Sequence, residues 1–227
     1  MRKLFYSLVT ISISTFLFEV FPYLVFGFER SLPSPWNSWP DVFDMILWMP
    51  ITVLIFFYIY ESLIKTLDIK IKIIYLSGIV LYIWGHGIHW AANSLDIPPC
   101  NTPSAYFLDE IFGHFILFLG FLIVLLSISF ISPMIIEEVK GKYTLSFLSA
   151  IVFAFSTGAM ALEGQVVGMF IVVSLIILSY LTYLYTKFHM LISPSAIFFL
   201  LWSIFLLILL VIYYFVMGGF IQPSEWM

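Results

Sequence analysis

The chain has 227 residues, of which 63% are hydrophobic, 20% aromatic and only 10% charged, with a formal net charge of −4. A soluble domain is about 25% charged and 45–50% apolar, which excludes water as the solvent for most of this surface. The nine Lys and Arg residues are scattered singly or in short groups, with no basic stripe, so no nucleic-acid partner is expected.

A membrane-spanning helix needs about 20 apolar residues. The apolar runs predict seven such helices, over about 4–27, 43–62, 71–93, 106–131, 144–162, 166–187 and 196–217. With no repeat and no low-complexity segment, residues 1–227 read as one all-α domain, a seven-transmembrane-helix bundle of a multi-pass protein of the cell membrane.

In the first segment, Arg2 and Lys3 precede an apolar run that continues to Phe26 without a small-residue cleavage site. It reads as an uncleaved helix rather than a signal peptide. Glu19 lies in its outer half, three residues before Pro22. A loop near 28–42 follows, with Arg30 and tryptophans (Trp36, Trp39) suited to an interfacial belt. Asp41 and Asp44 are read as opening the second helix, where acidic groups favour the positive end of the dipole. The third helix closes with Trp84-Gly85-His86-Gly87-Ile88-His89-Trp90-Ala91-Ala92-Asn93. Pro98, Pro99 and Pro103 then break the chain, near the single cysteine, Cys100, which leaves no intrachain disulfide and no multi-Cys metal site. Ser104 is the expected cap of the fourth helix, which opens with Asp109-Glu110-Ile111-Phe112-Gly113-His114. Glu137, Glu138, Lys140 and Lys142 form a solvated loop. The fifth and sixth helices are one apolar stretch broken at Glu163-Gly164-Gln165, which predicts a tight hairpin. His189, beside Lys187, is expected at the interface.

With the N-terminus in the cytoplasm, one side of the membrane collects Arg2, Lys3, Lys65, Lys70, Lys72, Lys140, Lys142 and Lys187, and the other receives Arg30 alone. That bias predicts the N-terminus inside and the C-terminus outside. Gly78, Gly85 and Ala92 recur every seventh residue in the third helix, as Gly113, Gly120 and Ser127 do in the fourth. Small residues at such spacing let membrane helices approach closely.

Ionisable groups in a membrane segment cost about 2.5–3.5 kcal/mol each on insertion scales and are usually retained for function. The two polar stretches hold three of the four histidines. At 1.5 Å per residue, His86 and His114 lie about 10–12 Å below the outer helix ends, with His89 and Glu110 shallower. Imidazole and carboxylate are ordinary zinc ligands, and three protein ligands with an open position make bound water a nucleophile. The expected metal ligands are His86, His89, His114 and Glu110. Glu110, Asp109, Asn93 and Glu19 are the candidate catalytic groups: the acids as bases, Asn93 as an orienting or charge-stabilising amide. Glu163 is placed at the edge of this site.

The reading that follows is a metal-dependent membrane hydrolase, zinc as its metal, acting on a lipid or lipid-linked substrate at the outer leaflet. The lipid bilayer and that substrate are the expected partners; membrane-complex partners are left open. One alternative is a redox subunit that binds haem b or a quinone, with His114 and either His86 or His89 as axial partners. Another is a proton or metal transporter, although the inner half of the helices is nearly all Leu, Ile, Val and Phe. In helix number and residue types the chain resembles the membrane hydrolases related to alkaline ceramidases. Their motif order and late His-x-x-x-His pair are absent, and the chain is assigned to no family.

Overall fold

The structure, a computed structural model, describes residues 3–26, 39–95, 102–135, 142–188 and 193–222. Arg2, Arg30, Trp36, Asp96, Pro98, Pro99, Cys100, Glu137, Glu138, Lys140 and His189 lie outside the described residues. Regular structure among the described residues is entirely helical. Among the described residues, seven helices are long and apolar enough to cross a membrane: α1 Lys3–Phe26, α2 Trp39–Thr66, α3 Ile69–Asn93, α4 Pro103–Met134, α5 Tyr143–Glu163, α6 Val167–Phe188 and α7 Pro194–Met217. The expected spans are met within four residues at every end.

The larger shifts in helix starts have local causes. α2 begins at Trp39, earlier than expected, because Pro40 suits a first helical turn that needs no N–H from it. α4 begins at Pro103 and its cap is Thr102, not Ser104. Thr102 is extended (φ −122°, ψ 150°), and its Oγ1 accepts from the Ala105 N–H at 3.2 Å. Ser193 caps α7 in the same way, its Oγ accepting from the Ala196 N–H at 3.1 Å. The α5–α6 hairpin turns where expected. Gly164 N–H donates to Met160 O at 2.9 Å, Val166 N–H donates to Ala161 O at 3.0 Å, and Gln165 takes a positive φ of 53°.

α3 and α4 pack along the small-residue seam. A Cβ at Gly85 would fall 2.2 Å from the Leu117 backbone N, and one at Gly120 would fall 2.2 Å from the Tyr82 N. Such separations leave room for glycine alone, so the two backbones touch. α5 packs against α7 and α1, and α6 covers α4 and α7. In the centre, Phe56, Phe121, Phe153 and Trp202 are fully buried.

Many hydroxyl and indole groups within the bundle are satisfied internally, as hydrocarbon favours. Ser12 Oγ donates to Leu8 O at 2.7 Å and Thr157 Oγ1 donates to Phe153 O at 2.6 Å. Trp202 Nε1 donates in turn to Thr157 Oγ1 at 2.9 Å. The outer surface is the reverse of a soluble one: Leu54 and Phe215 are 68% and 78% exposed. Such side chains find their solvent in lipid.

Candidate functional site

Three of the seven helices widen into a π-helical turn: Phe16–Val20 in α1, Asp44–Trp48 in α2 and Phe107–Gly113 in α4. The first is near the end of α1, and the other two are near the starts of α2 and α4, so all three lie at one end of an antiparallel bundle. A π turn holds one extra residue, re-aims the side chains around it and recurs at functional sites. Each of these turns carries carboxylates: Glu19, then Asp44, then Asp109 with Glu110. α3 runs past them as an unbroken α-helix.

His86 of α3 is 1% exposed, and its Nε2 lies 2.9 and 3.0 Å from the two carboxylate oxygens of Asp44. The π turn that carries Glu19 packs against the one that carries Asp44, and the two carboxyls lie within electrostatic reach of each other. Two carboxyl groups that share a buried site do not readily both ionise, which favours a proton on one of them. Glu19 Oε2 and His86 Nδ1 are both buried without a hydrogen-bond partner. One level outward, His89 Nδ1 meets Asp109 Oδ1 at 2.6 Å. The His89 and His114 rings stack with centroids 4.3 Å apart, tilted by 35°. His114 Nδ1 donates to Glu110 O at 3.1 Å, with Glu110 Oε2 3.6 Å away. At the mouth, Asn93 Nδ2 donates to Asp41 Oδ1 at 3.1 Å. Tyr23 lies within electrostatic reach of Glu19, Asp41, Asp44 and Glu163.

Aromatic side chains close the site on the inner side. Trp48 and Tyr82 pack on the His86 ring at 5.5 and 5.2 Å, and Phe56 and Phe121 pack beneath Tyr82 at 5.9 and 6.0 Å. Trp48 is itself held by α1, its Nε1 donating to Thr15 Oγ1 at 3.2 Å. Among the described residues, the buried acidic and histidine side chains are Asp44, His86 and Asp109, and all three belong to this site.

The metal centre expected from the sequence is overturned. Among the described residues, no three His, Cys, Asp or Glu groups are arranged to hold a metal ion. The reason lies in how each imidazole is used. His86 turns to Asp44 on α2, His89 to Asp109 on α4, and His114 back to the carbonyl of its own helix. His86, His89, His114 and Glu110 are therefore not a ligand set, and the zinc-hydrolase reading falls with them. The expected matching of levels also shifts: His114 is opposite His89, not His86. The π turn Phe107–Gly113 fits more residues into each turn than an α-helix, leaving His114 less deep than 1.5 Å per residue implies.

The structure brings Glu19 to His86 through Asp44, a residue assigned at first to a helix start. Asp41 does lie in the first turn of α2; Asp44 is a turn further in, buried and paired. One signal could have found it. An acid inside a membrane span is expected to face the bundle interior, and Asp44 is followed by an apolar run without a charge until Glu61. Glu163 presents its main-chain carbonyl to Gln222 Nε2, which donates at 2.7 Å.

Comparison of the chain with protein-family models, curated proteins and solved structures found no match.

Proposed function

We propose that this chain is a proton-binding integral membrane protein. Its site is the metal-free network of Glu19, Asp44 and His86, with His89 and Asp109 as a second acid–imidazole pair nearer the surface. The observation that carries the reading is the buried Asp44–His86 pair with Glu19 within electrostatic reach of Asp44: two acids and a base brought together from three helices. Such a network passes a proton by switching which hydrogen bond is occupied, and its members change charge when that proton leaves. Because α1, α2 and α3 each contribute one group, protonation changes how these helices hold together.

Exchange takes place on one side only. The Asn93–Asp41 bond and the His89–Asp109 pair lead outward, while the packing of Phe56 and Phe121 beneath Tyr82 closes the inward path. The function is thus proton binding at one membrane face rather than conduction through the bundle. The lysine distribution supports the orientation in which this face is outside and Lys3 is cytoplasmic, in the cell membrane.

The test is infrared difference spectroscopy of the purified protein between acid and alkaline pH. The expected result is a carbonyl band of a hydrogen-bonded carboxylic acid that diminishes as pH rises and is missing from both Glu19→Gln and Asp44→Asn. A spectrum without such a band, or one that survives both substitutions, overturns the proposal.

A further inference from the structure

At the opposite end of the same helices, α1 and α2 separate to leave a surface groove of about 450 Å³. This volume falls within the range of small-molecule sites, and the groove changes character along its length. At its mouth are the Lys3 ammonium, 5.7 Å above the Tyr58 ring, and the exposed side chains of Tyr6 and Tyr58. Deeper in, on the α2 side, the lining is Ile51, Leu54 and Ile55. The hydroxyls of Ser7 and Thr10 line the α1 side, but each donates to a carbonyl of its own helix, Lys3 O at 2.9 Å and Tyr6 O at 2.8 Å. They place no unspent hydroxyl hydrogen in the shaft. From Lys3 to Thr10 the groove follows about 10 Å of helix.

A cationic mouth with phenol groups, opening into an apolar shaft that faces hydrocarbon, matches one kind of occupant. A zwitterionic lipid would bring an ammonium group of its own to the same mouth, next to Lys3. An anionic headgroup brings only the complementary charge, and the leaflet on the lysine-rich side of a membrane is the one that carries anionic lipid. We propose that this groove binds one anionic phospholipid, its phosphate at Lys3 with Tyr58 and Tyr6 beside it, and an acyl chain along Ile51, Leu54 and Ile55. The site is separate from the proton network and does not depend on it.

The experiment is native mass spectrometry of the full chain in detergent. Equal amounts of phosphatidylglycerol and phosphatidylcholine are added, and the ratio of the two retained lipids is read. The wild type is expected to favour the anionic lipid. Lys3→Gln is expected to lower that preference about fivefold, the weight of one basic residue at an anionic surface. Lys70→Gln removes the same charge from the same side of the bundle outside the groove and is expected to change nothing. Ile51→Trp fills the shaft while leaving the charge and is expected to reduce retention of both lipids. All three positions lie away from the core, and unchanged thermal unfolding checks that each variant is folded. An unaltered ratio in Lys3→Gln, an equal loss in Lys70→Gln, undiminished retention in Ile51→Trp, or displacement of the lipid by inorganic phosphate alone would each overturn the assignment.

Discussion

His86 carries the largest consequence of any single side chain in the bundle. Its ring is buried between Trp48 and Tyr82, and its Nε2 has both Asp44 oxygens within hydrogen-bonding distance. Removing one partner of a buried pair leaves the other polar group stranded, at about 3–5 kcal/mol. Asp44→Ala is therefore expected to destabilise the protein by about that amount, measured by unfolding in mixed micelles. Asp44→Asn keeps an oxygen that accepts from Nε2 and is expected to lose about half as much. The double variant Asp44→Ala/His86→Ala separates pairing from general packing. If the two residues act as a pair, its loss is smaller than the sum of the single losses, by at least 1 kcal/mol of coupling. Additive losses would mean that the contact contributes nothing beyond the space its atoms fill.

At the scale of helices, the same sequence rule succeeded in one place and failed in another. The α3–α4 seam was legible because it needs only residue size and spacing: Gly78, Gly85 and Gly120 are where backbones meet. The π turns were not legible, because no residue type marks the extra residue in a turn; it follows from packing between helices. Without those turns, counting at 1.5 Å per residue set His114 too deep and missed its stacking on His89. Asp44 was missed for a related reason. Its partner is on another helix, and nothing in one sequence says that α2 and α3 present these groups to each other.

The seam gives a comparison of two glycines in one turn of α3. A methyl group at Gly85 meets the Leu117 backbone, whereas one at Gly87 meets nothing within 4 Å. Backbone cannot step aside as a side chain can, so Gly85→Ala must force the helices apart, at about 1–3 kcal/mol or more. Gly87→Ala only restricts the unfolded chain and improves helix propensity, for a gain of about 0.4–1 kcal/mol. Thermal unfolding of the two variants should therefore move in opposite directions. A drop of equal size in both would mean that helix propensity and backbone contact are not what distinguishes these positions.

For the whole molecule, seven long apolar helices were readable from composition and run length, since a bilayer imposes a length that few other structures need. A bundle that spans a bilayer has its two ends in different compartments, and this bears on function. The proton site is at one end and the lipid groove at the other, so each proposal commits to a side. The single cysteine, Cys100, falls in sequence between α3 and α4, the two helices whose adjoining ends carry His89, Asp109 and His114. With the lysine-rich end in the cytoplasm, a membrane-impermeant maleimide added to intact cells is expected to label the wild type and to leave Cys100→Ser unlabelled. Reintroducing a thiol as Lys70→Cys in that background is expected to give a protein that labels only after the cells are permeabilised. The reverse pattern would place the acid–imidazole network in the cytoplasm. The network would then answer to cytoplasmic pH, and Lys3 would face the leaflet poorer in anionic lipid.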